Sequence, residues 1–142
     1  MLRLRKVFVS LAVATVLAVF SLALVPSVPT FASNTYPYGQ CTYYAKMMRP
    51  DIGNHWGDAK YWATSARRAG FAVSSWPQVG DVAAFGAYVQ GDSRYGHVGI
   101  VRKVSGSWFE ISSMWGNEAN GRIHWTWHYV GAGVQFIHYR KW

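Results

Sequence analysis

A chain of 142 residues, with 14 Lys and Arg against 6 Asp and Glu and a formal net charge of +8, has room for one hydrophobic core; its lone cysteine, Cys41, excludes an intrachain disulfide framework. The basic residues form no block and no nucleic-acid motif, so nucleic acid is not an expected partner; the positive balance suits anionic polymers such as those of a cell wall. Rings are dense, with 8 Trp, 9 Tyr and 7 Phe, and in a small domain most of them are expected in the core, the excess lining a groove.

In chain order, Arg3, Arg5 and Lys6 precede an uncharged apolar run from Val7 to Val25, followed by Pro26, Pro29 and Thr30-Phe31-Ala32. This is the layout of an export signal over residues 1–32, cleaved after Ala32; an uncleaved anchor is the alternative, since the run is about long enough to span a bilayer. Either way a single domain at 33–142 is expected outside the cell, secreted or in the wall, as a monomer with no membrane contact once the signal is gone. Without the three basic residues of the signal it keeps 11 Lys and Arg against 6 acids, a net of +5.

Ser33 to Gln40 reads as an extended lead-in. Cys41 to about Met48 reads as a helix stopped by Pro50. Asp58 is a candidate N-cap for a second helix reaching about Ala69, with Ala59, Trp62, Ala63, Ala66 and Ala69 on one face and Gly70 as the stop. The period then changes to that of strands: Phe71–Val73, Val82–Phe85, His97–Val104, a Ser105-Gly106 turn, Trp108–Ser113, Arg122–Tyr129 and Val134–Tyr139. In Arg122–Tyr129 the alternation is clean, Ile123, Trp125, Trp127 and Tyr129 against Arg122, His124, Thr126 and His128, and the ring face is expected to be core rather than substrate platform. Helices first and short-turned strands after predict an α+β fold, helices packed on an antiparallel sheet.

A lone thiol is an inert buried hydrophobe, an intermolecular crosslink or a nucleophile. Cys41 follows Gly39-Gln40 at the start of a helix, where the macrodipole favours the thiolate and a lowered pKa. A nucleophilic thiol needs an imidazole within reach and a polar group to orient that imidazole. The favoured base is His97, in Gly96-His97-Val98-Gly99 at the start of a strand. His55, His124, His128 and His138 lack the company of a second cysteine or an HExxH pair, so no metal and no other cofactor is expected. Asp58 and Asp81 read as cap and turn residues.

Four stretches carry a closer likeness. Tyr38-Gly39-Gln40-Cys41-Thr42, Gly53-Asn54 with Ala59 and Trp62-Ala63, Pro77-x-x-Gly80-Asp81 and Gly96-His97-Val98-Gly99-Ile100-Val101 resemble, in order and spacing, the motifs of the CHAP family (cysteine, histidine-dependent amidohydrolase/peptidase). The resemblance runs from Tyr36 to about Tyr139. It implies a papain-like fold of the CHAP/NlpC-P60 type and a secreted peptidoglycan hydrolase, either an N-acetylmuramoyl-L-alanine amidase or a peptide endopeptidase. By matching position it makes Cys41 the nucleophile and His97 the base. Gln40 and the Cys41 backbone N–H become candidate oxyanion donors.

The chain departs from the family at one place. Where the family reads Ile-Ser-Glu-Met-Asn, this sequence has Ile111-Ser112-Ser113-Met114-Trp115, so the usual acid is Ser113. Three readings follow: Ser113 orients His97 through a neutral hydrogen bond; Glu110, Asn117 or Glu118 takes over; or the domain is a weak or inactive wall-binding, surface-antigen-like protein. Glu110 is three residues from Ser113 and should face the other way along a strand.

Overall fold

The computed structural model describes residues 33–118 and 120–139; the export segment expected at 1–32 lies outside them. Helix α1 spans Cys41–Met48. It ends where the Arg49 N–H donates to the Ala45 carbonyl at 2.8 Å and Pro50 bars another turn. The second helical stretch is less regular than expected: a 3₁₀ turn at Ala59–Tyr61 leads into α2, Trp62–Arg68. Asp58 holds the N-cap position by its backbone, but its side chain makes no capping bond, a correction to its reading as a cap. The apolar face is as patterned, with Ala59, Trp62, Ala63 and Ala66 buried.

Six strands follow: β1 Val73–Ser74, β2 Val82–Phe85, β3 His97–Ser105, β4 Trp108–Met114, β5 Ile123–Tyr129 and β6 Val134–Ile137. They form one antiparallel sheet in the order β1-β6-β2-β3-β4-β5. Strand β2 is central and all four of its residues are buried, so both faces of the sheet carry core. On the helix side Tyr44, Ala45, Trp62 and Ala66 pack with Val82, Val98, Ile100 and Ile137. The opposite face gathers Ala83, Phe85, Val101, Phe109, Ile111 and Phe136.

Two buried polar residues brace the strand ends: Arg49 ties the end of α1 to them, and Asp81 ties the turn before β2 to the end of β6. The Arg49 guanidinium pairs with both Asp51 oxygens at 2.8 Å and donates to the carbonyls of Gly80, Ile137 and His138. Asp81 does more than close a turn: it accepts from the Gln78 N–H at 2.7 Å and holds His138 Nδ1 at 3.0 Å, while His138 Nε2 lies 2.7 Å from the Ser74 hydroxyl.

The ring face of β5 is not core. Trp125, Trp127 and Tyr129 are 57%, 48% and 50% exposed. Helix α1 packs on β3 and β4 and α2 on β6 and β1, so the edge strand β5 lies beyond the helical cover. Among the described residues no helix is long and apolar enough to cross a membrane.

Candidate active site

Residues from α1, β3, β5, the 3₁₀ turn and four loops line an open cleft of about 1210 Å³. Cys41 enters it from the first position of α1. The chain reaches that position through Gly39, at φ 84°, a backbone conformation open to glycine at no steric cost. His97 enters from the first residue of β3, directly after Gly96. Gly96 has φ 72°, and a Cβ there would collide with the Phe85 carbonyl oxygen and stand 2.8 Å from the Lys60 nitrogen. The close approach lets the Lys60 N–H donate to the Tyr95 carbonyl at 2.9 Å, which fastens the 3₁₀ turn against the start of the histidine strand.

His97 and Ser113 lie on the same face of the sheet, and Ser113 Oγ sits 2.9 Å from His97 Nε2. Nδ1 is then the ring nitrogen left for a thiol. The Cys41 sulfur is hydrogen-bonded by the backbone at Val98, the residue next to His97. The thiol and the imidazole therefore line one cleft from neighbouring points of α1 and β3.

Burial pushes the Cys41 thiol up to about 11; the charge of Asp92 adds to the rise, and backbone hydrogen bonds at Val98, Thr42 and Cys41 itself oppose it. The lowered pKa expected at a helix start is thus overturned, because removing a thiolate from water outweighs the dipole of an eight-residue helix. Burial, and then the neighbouring His128, bring His97 down to about 4. Both partners are uncharged at neutral pH.

Of the four candidates for orienting the imidazole, Ser113 is the one bonded to it. Glu110 lies on the other face, as strand parity requires, with Lys103 Nζ 3.2 Å from its carboxylate. Glu118 is held by His124 Nε2 at 2.9 Å. Asn117 lines the cleft, as does Gln40. Trp115, where the family has Asn, stacks on the His124 ring at 3.9 Å and 9°. Among the described residues no three His, Cys, Asp or Glu side chains gather as a metal site. Nothing in the sequence singles out Asp92, and His128, weighed there only as a metal ligand, also lines the cleft. Asp92 sits in a polar loop with nothing around it to mark it; His128 shares a strand face with His124, which shows only that both leave the ring side.

The sequence profile described as "CHAP domain" matches residues 31–120. The chain belongs to the CHAP domain family. This CHAP domain is 42% identical over 76 residues to "Probable autolysin LDP" of Staphylococcus aureus, an alignment covering 51% of this chain and 25% of the relative. It is 42% identical over 77 residues to "Staphylococcal secretory antigen ssaA2" of the same species, covering 54% and 27%. Among solved structures it superposes on an N-acetylmuramoyl-L-alanine amidase from Staphylococcus aureus with a TM-score of 0.65 and 28% identity, covering 78% of this chain and 34% of the amidase chain. The chain thus spans about a quarter of these curated relatives and a third of the amidase chain.

Proposed function

We propose that this CHAP domain is a secreted, wall-associated peptidoglycan hydrolase that cuts an amide bond by a Cys–His mechanism on a papain-like scaffold. The observation that carries the reading is the placement of Cys41 and His97 in one cleft, with Ser113 holding the far nitrogen of the imidazole. The printed activities of the autolysin and amidase relatives point to the same substrate class.

In this reading His97 Nδ1 takes the thiol proton as the Cys41 sulfur attacks the amide carbonyl. The oxyanion is met by the Cys41 backbone N–H and the Gln40 side-chain amide. Collapse breaks the C–N bond; the imidazolium returns its proton to the leaving amine, and a thioester remains. Water, deprotonated by His97, then releases the acid and restores the thiol. Ser113 fixes the ring and its tautomer but brings no charge, so it stabilises the imidazolium less than a carboxylate would.

Purified cell walls should lose turbidity with the wild-type protein and not with Cys41→Ala. Equal clearing by both would reject the mechanism. The absence of an acid on His97 favours a second reading, wall binding without hydrolysis; it predicts wall sedimentation with the protein and no muropeptide release by either form.

A further inference from the structure

The six acidic side chains of this basic chain are not equivalent. Asp51 has Arg49, Asp81 has His138, Glu110 has Lys103 and Glu118 has His124, while Asp58 is exposed to water. Asp92 and Glu110 each have an oxygen, Oδ2 and Oε2, shut away from solvent with no hydrogen-bond partner among the described residues, but Glu110 has the Lys103 ammonium beside it and Asp92 has no cation. No Lys, Arg or His nitrogen among the described residues pairs with it within salt-bridge distance. The nearest basic residue in sequence is committed elsewhere, since Arg94 lies over the Tyr95 ring. Asp92 lines the same cleft as Cys41 and His97, and its charge is felt at the sulfur. A desolvated carboxylate with no partner is costly unless a cation arrives to complete it.

We propose that Asp92 is a substrate-binding residue that takes a primary ammonium, so that the preferred substrate is a wall peptide with a free amine close to the amide being cut. This rests on the cleft being the substrate site. An ammonium on Asp92 makes a charge-assisted hydrogen bond in a partly dry site. It also cancels the negative charge that opposes ionisation of Cys41, so the right substrate eases its own attack. Burial holds Asp92 up to about 6; it is ionised at pH 7.5 and largely protonated at pH 5, and the preference for an amine should fade between them. The cleft's other ionisable side chains are Tyr36, Cys41, His55, Asp58, Tyr95, His97 and His128; any of them that is charged also acts on the ammonium, so the part owed to Asp92 is what Asp92→Asn removes from the ratio.

The test is calorimetric binding of one wall peptide in two forms, free amine and N-acetylated, to the Cys41→Ala protein, which needs no turnover. The free amine should bind about tenfold tighter at pH 7.5, with the ratio falling toward one at pH 5. Asp92→Asn, nearly isosteric, should bring the ratio to one at both pH values, and Asp58→Asn, an exposed acid of the same cleft, should leave it intact; thermal unfolding checks that both variants fold. Equal affinities for the two forms, a preference that survives Asp92→Asn, or no binding of either form would overturn the proposal. The two readings fail separately. An amine preference without wall clearing removes the hydrolase, and wall clearing indifferent to acetylation removes the role of Asp92.

Discussion

The charge state of the Cys41–His97 pair at rest can be measured directly. Moving the thiol proton to the imidazole runs from a group at about 11 to one at about 4, a gap of about seven pKa units that costs ~10 kcal/mol at 1.36 kcal/mol per unit. Even at contact, ~4 Å, the attraction of the resulting charges would return only ~4 kcal/mol at an effective dielectric constant of ~20. The remaining ~5–6 kcal/mol leaves on the order of one molecule in ten thousand as thiolate–imidazolium, at about 1.4 kcal/mol per tenfold. The ultraviolet difference spectrum of wild type minus Cys41→Ala, which cancels the tyrosines, should therefore show no thiolate at pH 7 and a rise centred near 11. Because burial lowers His97, its base form persists as pH falls until about 4, so hydrolysis should hold a plateau from just above that value well into the alkaline range. A thiolate signal already present at pH 5, or an alkaline limb of activity near 8–9, would refute the neutral pair.

Other perturbations have defined outcomes. Ser113→Glu with Trp115→Asn restores the family's acid and amide and should raise the rate of wall clearing and the pKa of His97; no gain would mean that another group supports the imidazole. Gln40→Ala should lower turnover by about 10²–10³-fold if its amide donates to the oxyanion, with the circular dichroism spectrum unchanged; unchanged turnover removes it from the mechanism. Arg49→Ala leaves Asp51 as an uncompensated buried charge and three carbonyls without their donor, so urea denaturation should show a loss of about 3–5 kcal/mol. Phe109→Ala, in the sheet core, should cost about 3–5 kcal/mol, whereas Trp127→Ala on the open face should cost less than about 1; equal losses would contradict the burial of these faces.

Much of this fold is legible in the sequence because local chemistry and tertiary structure agree. Helix α1 starts after a glycine and stops at a proline, and both limits are as read. The β3–β4 hairpin turns at Gly106, φ 59°, where the Ser-Gly pair places it. Other features depend on what packs against what. Alternation in β5 separates ring from polar positions, but only the extent of the helical cover decides which face meets water. The Cys41 thiol sits at a helix start as expected, yet the sign of its pKa shift follows from burial, which has no signature in the residues around position 41. Ser113 is readable as a partner of His97 because the motif order offers it there, while Asp92 is silent: a carboxylate in a polar loop looks solvated until its neighbours are known.

A sulfur that stays protonated also ages slowly. Peroxides and foreign disulfides react with the thiolate, and a thiol held at about 11 carries roughly a hundredth of the thiolate of an ordinary surface cysteine at the same pH. The same desolvation that would make the proposed chemistry rely on His97 at the moment of attack should therefore slow oxidation of Cys41 relative to a pre-ionised nucleophile.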